Sequence, residues 1–305
     1  MPDAGLRWTV RFAGVTLDLV VEGAWLNASL PRLYGRHVQP VPPSPSASQD
    51  PPADLSVHAL PDAGTPPRNG HDDARRYRLI EPAAGPSHCD RFVEGSVRSL
   101  AEIRERVQYR LIDAQHEALL LHGAAIVRNG QAVIFPARSG AGKTTLAAWC
   151  VSQGEQVLTD ELVAVTPGGG VTGFAQALNI KAHGMPVTES FPGLSPALAD
   201  APGAGLGGRF LPLPAAAGAA PLSPGLIVFP QYAPDQPWSA QRLSQGERLA
   251  WLLESLMNAR NRPRRGLGEA NALAAAVPAY RVVYHDLRDL TRWLGARLAC
   301  PSPTA

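Results

Sequence analysis

Short apolar runs separated by small-residue and polar breaks set the rhythm of the chain between residues 121 and 165. Leu121-His122-Gly123-Ala124-Ala125-Ile126-Val127 and Ala132-Val133-Ile134-Phe135 read as strands on either side of Arg128-Asn129-Gly130-Gln131. Asn-Gly between apolar runs predicts a two-residue hairpin turn, because both central residues must take positive φ. With Arg128 opposite Gln131, the register brings His122 opposite Ala137. Leu146-Ala147-Ala148-Trp149-Cys150-Val151 has helical character, and Gly154 suits the residue just past a helix end. Val157-Leu158-Thr159 then predicts a strand parallel to residues 132–135 after a right-handed crossover.

The first third alternates apolar and polar positions. Trp8-Thr9-Val10-Arg11-Phe12 and Val15-Thr16-Leu17-Asp18-Leu19-Val20-Val21 predict a hairpin about Ala13-Gly14, and residues 55–60 and 77–80 read as further strands joined by a loop over 61–73. Residues 99–117 carry a helical stripe of Leu100, Ile103, Val107, Leu111 and Ile112, which places Glu102, Arg104, Glu105 and Arg106 largely on other faces. Downstream, residues 177–181, 226–229 and 279–284 read as strands. Residues 245–261 read as an amphipathic helix with Leu249, Leu252, Leu253, Leu256 and Met257 inside, and residues 287–298 as a closing helix.

Two stretches break the pattern. Residues 39–54 are rich in Pro and Ser and are expected to form a mobile linker. Residues 192–224, rich in Pro, Ala and Gly, are expected to make a long excursion over the surface. The whole reads as an α/β protein: a smaller, mostly β N-terminal region over residues 1–98, and a larger α/β domain over residues 99–305.

Composition narrows the partners. At 45% hydrophobic residues, a chain of 305 can bury a sizeable core. A formal charge of +2 is too near neutral to imply a nucleic-acid or membrane surface. The three cysteines, Cys89, Cys150 and Cys300, are odd in number and lack metal-ligand spacing, and no apolar stretch reaches membrane-spanning length. The expectation is a soluble cytoplasmic protein.

The chemistry is concentrated in Ala137-Arg138-Ser139-Gly140-Ala141-Gly142-Lys143-Thr144-Thr145, which lies between an expected strand and an expected helix. This is the context of a phosphate-binding P-loop. Small residues let successive backbone N–H groups converge on phosphate oxygens, and the positive end of the helix dipole points the same way. Ser139, Gly140, Ala141, Gly142, Lys143, Thr144 and Thr145 are the expected nucleotide contacts. Lys143 reaches the β- and γ-phosphates, and the Thr144 hydroxyl is placed to hold Mg²⁺. Ala137 stands where the pattern has glycine, and its methyl group is tolerated if φ stays negative. Asp160 and Glu161 follow the crossover strand, so Asp160 takes the place of a second Mg²⁺ ligand. Glu161 reaches the same site only if the strand ends or bulges there. The arginines at 260, 262, 264 and 265 either clamp phosphate or an acidic substrate as a basic wall or form a solvated loop.

His122-Gly123 on a strand, the P-loop, and Asp160-Glu161 soon after Lys143 resemble the HPr kinase/phosphorylase family. More closely, they look like HPr-kinase-related proteins encoded in peptide-modification gene clusters, including kinases of lasso-peptide precursors. The resemblance covers His122 to Val165, with looser support from residues 255–298. The resemblance implies a nucleotide-binding core shared with phosphoenolpyruvate carboxykinase, built on a mixed sheet, with ATP and Mg²⁺ as cofactors. It implies Lys143, His122, Asp160 and Glu161 as catalytic residues and Thr144 and Asp160 as metal ligands. The implied reaction is transfer of the ATP γ-phosphoryl group to a serine-type hydroxyl of a peptide or protein, such as a ribosomal precursor peptide. The family's adjacent acids are both aspartates, whereas this chain has Glu161. The family's second signature region has no counterpart here. A nucleotide sensor without transfer, a small-molecule kinase and a carboxykinase-like enzyme are the alternatives. The acceptor, the choice of ATP or GTP, the identity of the base and assembly into a homo-oligomer stay open.

Overall fold

The computed structural model describes residues 5–42, 52–60, 76–81, 90–138, 140–203, 207–214 and 220–299. Most of the expected linker, the loop 61–73, Ser139, Cys89 and Cys300 lie outside the described residues.

The N-terminal hairpin forms as the alternation requires. β1 (Leu6–Phe12) and β2 (Val15–Val21) pair antiparallel with Phe12 opposite Val15, and Ala13 and Gly14 both take positive φ, 48° and 86°. Helix α1 (Ala24–Tyr34) follows. β3 (Val38–Pro40) then pairs with β1, so Gln39 and Pro40 are strand where a linker was expected. Pro40 is tolerated because β3 is an edge strand, where a missing N–H breaks no ladder. β4 (Leu55–Ala59), β5 (Arg76–Ile80) and β6 (Asp90–Glu94) complete a sheet in the order β3-β1-β2-β4-β5-β6.

Helix α2 (Ser96–Ala114) buries Leu100, Ile103, Val107, Leu111 and Ile112 against this sheet and α1. The same core takes in Leu120, Leu162, Ala164, Phe174 and Phe210 from the rest of the chain, so the two halves share apolar packing. His37 joins them as well. Its Nδ1 lies 2.8 Å from the Arg11 carbonyl, and its Nε2 accepts the Ala175 N–H at 3.0 Å.

The larger sheet is built on β7 (Leu119–Arg128) and β8 (Gln131–Pro136), with Arg128 opposite Gln131 and the turn at Asn129 (φ 49°) and Gly130 (φ 72°). After α3 (Lys143–Ser152), β9 (Gln156–Thr159) and β10 (Leu162–Val165) both pair antiparallel with β7. β9 thus runs in the same direction as β8, with β7 between them. β11 (Val171–Gly173) extends that edge. β14 (Pro224–Tyr232), β16 (Ala279–Tyr284) and β15 (Ser239–Arg242) extend the other, and β8, β14 and β16 are mutually parallel. The period of two sorts the side chains into layers. Val133 and Phe135 of β8, with Val228 and Val282, pack beneath α3 and α8 (Leu287–Ala299). Ala132 and Ile134, with Ile227 and Phe229, pack beneath α6 (Gln245–Glu254) and α7 (Leu267–Ala276). The result is an α/β chain with mixed sheets and a β-rich N-terminal region. No helix among the described residues is long and apolar enough to cross a membrane.

The structure adds detail to three expectations. The helix expected over 245–261 stops at Glu254, because residues 255–258 leave it to join the edge of β7; within it Leu252 is buried but Leu253 is 37% exposed. The expected surface excursion over 192–224 is mostly exposed or half-buried among its described residues, but it is anchored by secondary structure and a few buried side chains. It follows α4 (Met185–Glu189) and contains α5 (Leu194–Ala199) and β13 (Arg209–Leu211), which pairs with β12 (Leu178–Ile180), and it buries Leu194, Leu198, Phe210 and Leu211. In the arginine loop, Arg260 pairs with Asp113 and Arg262 with Glu269, which leaves no wall of four free cations.

Candidate functional site

β8 delivers the chain to a loop that ends at the N-terminus of α3. Gly140 and Gly142 both have φ of 84°, a conformation that glycine takes without Cβ strain. Ala137 is absent from the positive-φ residues, so its methyl group fits. Gly142 is the N-cap and α3 has no side-chain cap, so its first N–H groups face outward with the helix dipole behind them. Lys143 is 6% exposed; its Nζ donates to the carbonyls of Ala137 at 3.0 Å and Arg138 at 2.9 Å, folding back across the loop. Burial pulls the Lys143 ammonium below its ordinary range, while Glu161 and Asp160 oppose that shift. Gly140, Ala141, Gly142, Lys143, Thr144 and Thr145 are thus one loop and helix start; Ser139 is outside the described residues.

The acids stand where β9 and β10 part. The two strands are one course along β7, interrupted at Asp160 and Glu161. There Thr159 Oγ1 accepts the N–H groups of Glu161 (3.1 Å) and Leu162 (3.3 Å). This local turn breaks the strand alternation, and both acids reach the loop-facing side. Asp160 Oδ2 accepts the Thr144 hydroxyl at 2.7 Å, and its Oδ1 is buried without a hydrogen-bond partner. Burial, then repulsion from Glu161, raises the Asp160 carboxyl to about 6 against the pull of Arg104, Thr144 and Lys143. Glu161 Oε2 lies 3.2 Å from His122 Nε2, and Oε1 lies 3.7 Å from the Arg104 guanidinium. Burial alone would raise Glu161, but His122, Arg104 and Lys143 together outweigh it and hold it below the usual carboxylate range.

His122 comes to this point by register. Its carbonyl accepts the Ala137 N–H at 3.2 Å, and its own N–H donates to Ser255 O at 2.8 Å. Gly123 beside it is required by close approach: a Cβ there would lie 2.9 Å from the Phe135 carbonyl oxygen and 3.2 Å from Pro136 Cα.

Arg104 was missed by the sequence reading, which placed it off the buried face of α2. It is 7% exposed, lies over the Phe210 ring at 5.8 Å, and its Nε and one Nη are buried without hydrogen-bond partners. The signal was present: Arg104 falls four residues after Leu100 and three before Val107, inside the apolar stripe.

The Thr144 hydroxyl and the unpartnered Asp160 oxygen are hard oxygen donors, as Mg²⁺ prefers. Among the described residues no cluster of three or more His, Cys, Asp or Glu could hold a metal ion. A divalent ion here would therefore take ligand and water oxygens for most of its shell, which is how Mg²⁺ binds with phosphates. Cys150 is fully buried within α3, and its thiol, raised by burial, faces core. No protein-family model and no curated protein matches this chain.

Proposed function

We propose that the chain is an ATP-dependent kinase that transfers the γ-phosphoryl group to a serine-type hydroxyl of a peptide or protein. The observation that carries the reading is the convergence of Lys143, the Thr144–Asp160 pair and the Glu161–His122 pair on the uncapped start of α3. Phosphoryl transfer asks for positioning, charge neutralisation and a proton acceptor, and these groups divide that work. The loop N–H groups and Lys143 take the β- and γ-phosphates. Mg²⁺ held by Thr144 and Asp160 would neutralise the charge on the triphosphate. Glu161, kept anionic by His122 and Arg104, accepts the proton of the incoming hydroxyl. The acceptor oxygen bonds to the γ-phosphorus, the bond from that phosphorus to the β,γ-bridging oxygen breaks, and ADP leaves with the electron pair. The resemblance of His122 to Val165 to precursor-peptide kinases supports a peptide acceptor.

The test is incubation with ATP–Mg²⁺ and a peptide encoded beside the gene, read as added phosphate by mass spectrometry. Transfer is expected, and is expected to fall by roughly 10²-fold or more in Lys143→Ala and Asp160→Asn. Nucleotide binding without turnover would instead make the chain a sensor. Turnover only with small hydroxyl compounds would make it a small-molecule kinase.

A further inference from the structure

The parallel strands β8, β14 and β16 end on one side of the sheet, where open α/β sheets bind ligands. The acids and His122 occupy the β7 flank of the loop, which fixes the reactive end of a bound triphosphate there. Its nucleoside must leave across the opposite flank, over the ends of β14 and β16.

That flank carries two tyrosines in register, Tyr232 opposite Tyr284. The Tyr284 ring is buried, and its hydroxyl lies 3.6 Å from where a Cβ on Gly142 would sit, against the loop itself. Tyr232 stands one ring further out. It is 57% exposed and edge-on to Tyr284, with centroids 5.8 Å apart at 63°. Tyr232 follows Val228 at strand period two, so it continues the sheet face that carries α3. The other exposed aromatics lie elsewhere: Trp25, Phe92 and Tyr109 belong to the N-terminal half or α2, and Trp251 packs on Phe229 across the sheet.

We infer that Tyr232 is the stacking platform for the purine base of the nucleoside triphosphate, with Tyr284 as the brace between platform and phosphate loop. The inference rests on the nucleotide-binding reading above and adds the base subsite to it. A solvent-facing ring fixed by an edge contact offers one open π-face, and a base stacks on such a face with little selection among hydrogen-bonding edges. The platform therefore selects for ring area, purine over pyrimidine, and not for adenine over guanine.

Calorimetry with Mg²⁺–ATP and Mg²⁺–tripolyphosphate separates the base from the phosphates. Tyr232→Ala is expected to weaken ATP about ten-fold while leaving tripolyphosphate unchanged, and Tyr232→Phe is expected to bind both as the parent does. Equal ATP affinity in Tyr232→Ala and the parent would overturn the platform, as would equal losses for both ligands. If the parent binds ATP but tripolyphosphate fails to compete, the phosphate-loop reading fails instead, whatever the tyrosine variants do. Because Tyr232 is exposed, the alanine variant is expected to keep the parent's thermal midpoint, which secures the comparison.

Discussion

Arg104 and Glu161 lie 3.7 Å apart, yet the first comes from the helix that covers the N-terminal sheet and the second from the strand break beside β7. The candidate site therefore reaches the core that α2 forms with the N-terminal sheet. Arg104→Gln is expected to destabilise the fold by about 2 kcal/mol, below the roughly 3–5 kcal/mol for a fully buried pair, since 24% of the Glu161 side chain stays exposed. The double variant with Glu161→Gln should recover part of that loss. Urea unfolding of the four proteins measures it, and strict additivity would show that the two charges do not interact.

Gly123→Ala tests the close approach of β7 to the loop entrance. Its methyl group must push on the backbone of Phe135 and Pro136, at an expected cost of about 1–3 kcal/mol. Because the displaced backbone leads into the loop, nucleotide affinity should fall as well. A variant with the parent's unfolding midpoint would show that the strands part without strain.

Asp160→Asn should separate stability from activity. The buried carboxylate keeps one oxygen unpartnered, while an amide of the same shape carries no charge and still accepts from Thr144 through its oxygen. Thermal unfolding of the free protein is expected to shift upward by about 1–2 kcal/mol of stability, and phosphoryl transfer to fall by roughly 10²-fold or more. Melting with and without Mg²⁺–ATP, alongside the transfer assay, reads both effects.

His37 makes stability depend on pH. Burial lowers its folded value from 6.5 to about 4, and both ring nitrogens are committed, Nδ1 to the Arg11 carbonyl and Nε2 to the Ala175 N–H. A proton on Nε2 would face another N–H. The unfolded chain therefore binds the proton first, so this contribution is complete above pH 6.5 and is lost as pH falls toward 4. The loss amounts to about 3 kcal/mol. Urea midpoints across that range should fall more steeply for the parent than for His37→Gln; parallel curves would remove His37 as the cause.

Where local chemistry decided, the sequence was readable. Asn129-Gly130 prescribed its turn, and that turn alone carried the register to His122 and Ala137. The strand–loop–helix around Lys143 followed from residue size and periodicity. What escaped was set by distant packing. Arg104 looked like a solvated charge because its counter-ion lies far along the chain, in the strand break at Glu161. The segment 192–224 looked loose because its composition hides Phe210, which covers the Arg104 guanidinium. Glu161 needed a strand break, which the Thr159 hydroxyl seats, and threonine read as an ordinary strand residue.

The edge of β7 that β8 leaves when it turns into the loop is taken over by residues 255–258. Ser255 O accepts from His122, Met257 N–H donates to Leu120 O, and the buried Asn258 side chain accepts from Leu120 and donates to the carbonyls of Gln115 and Ala118. During synthesis, then, the loop, both acids and His122 leave the ribosome well before the backbone that accepts the His122 N–H. A nascent chain halted ahead of Ser255 already holds the phosphate-facing groups, while the edge of β7 at Leu120 and His122 still lacks its last backbone partners.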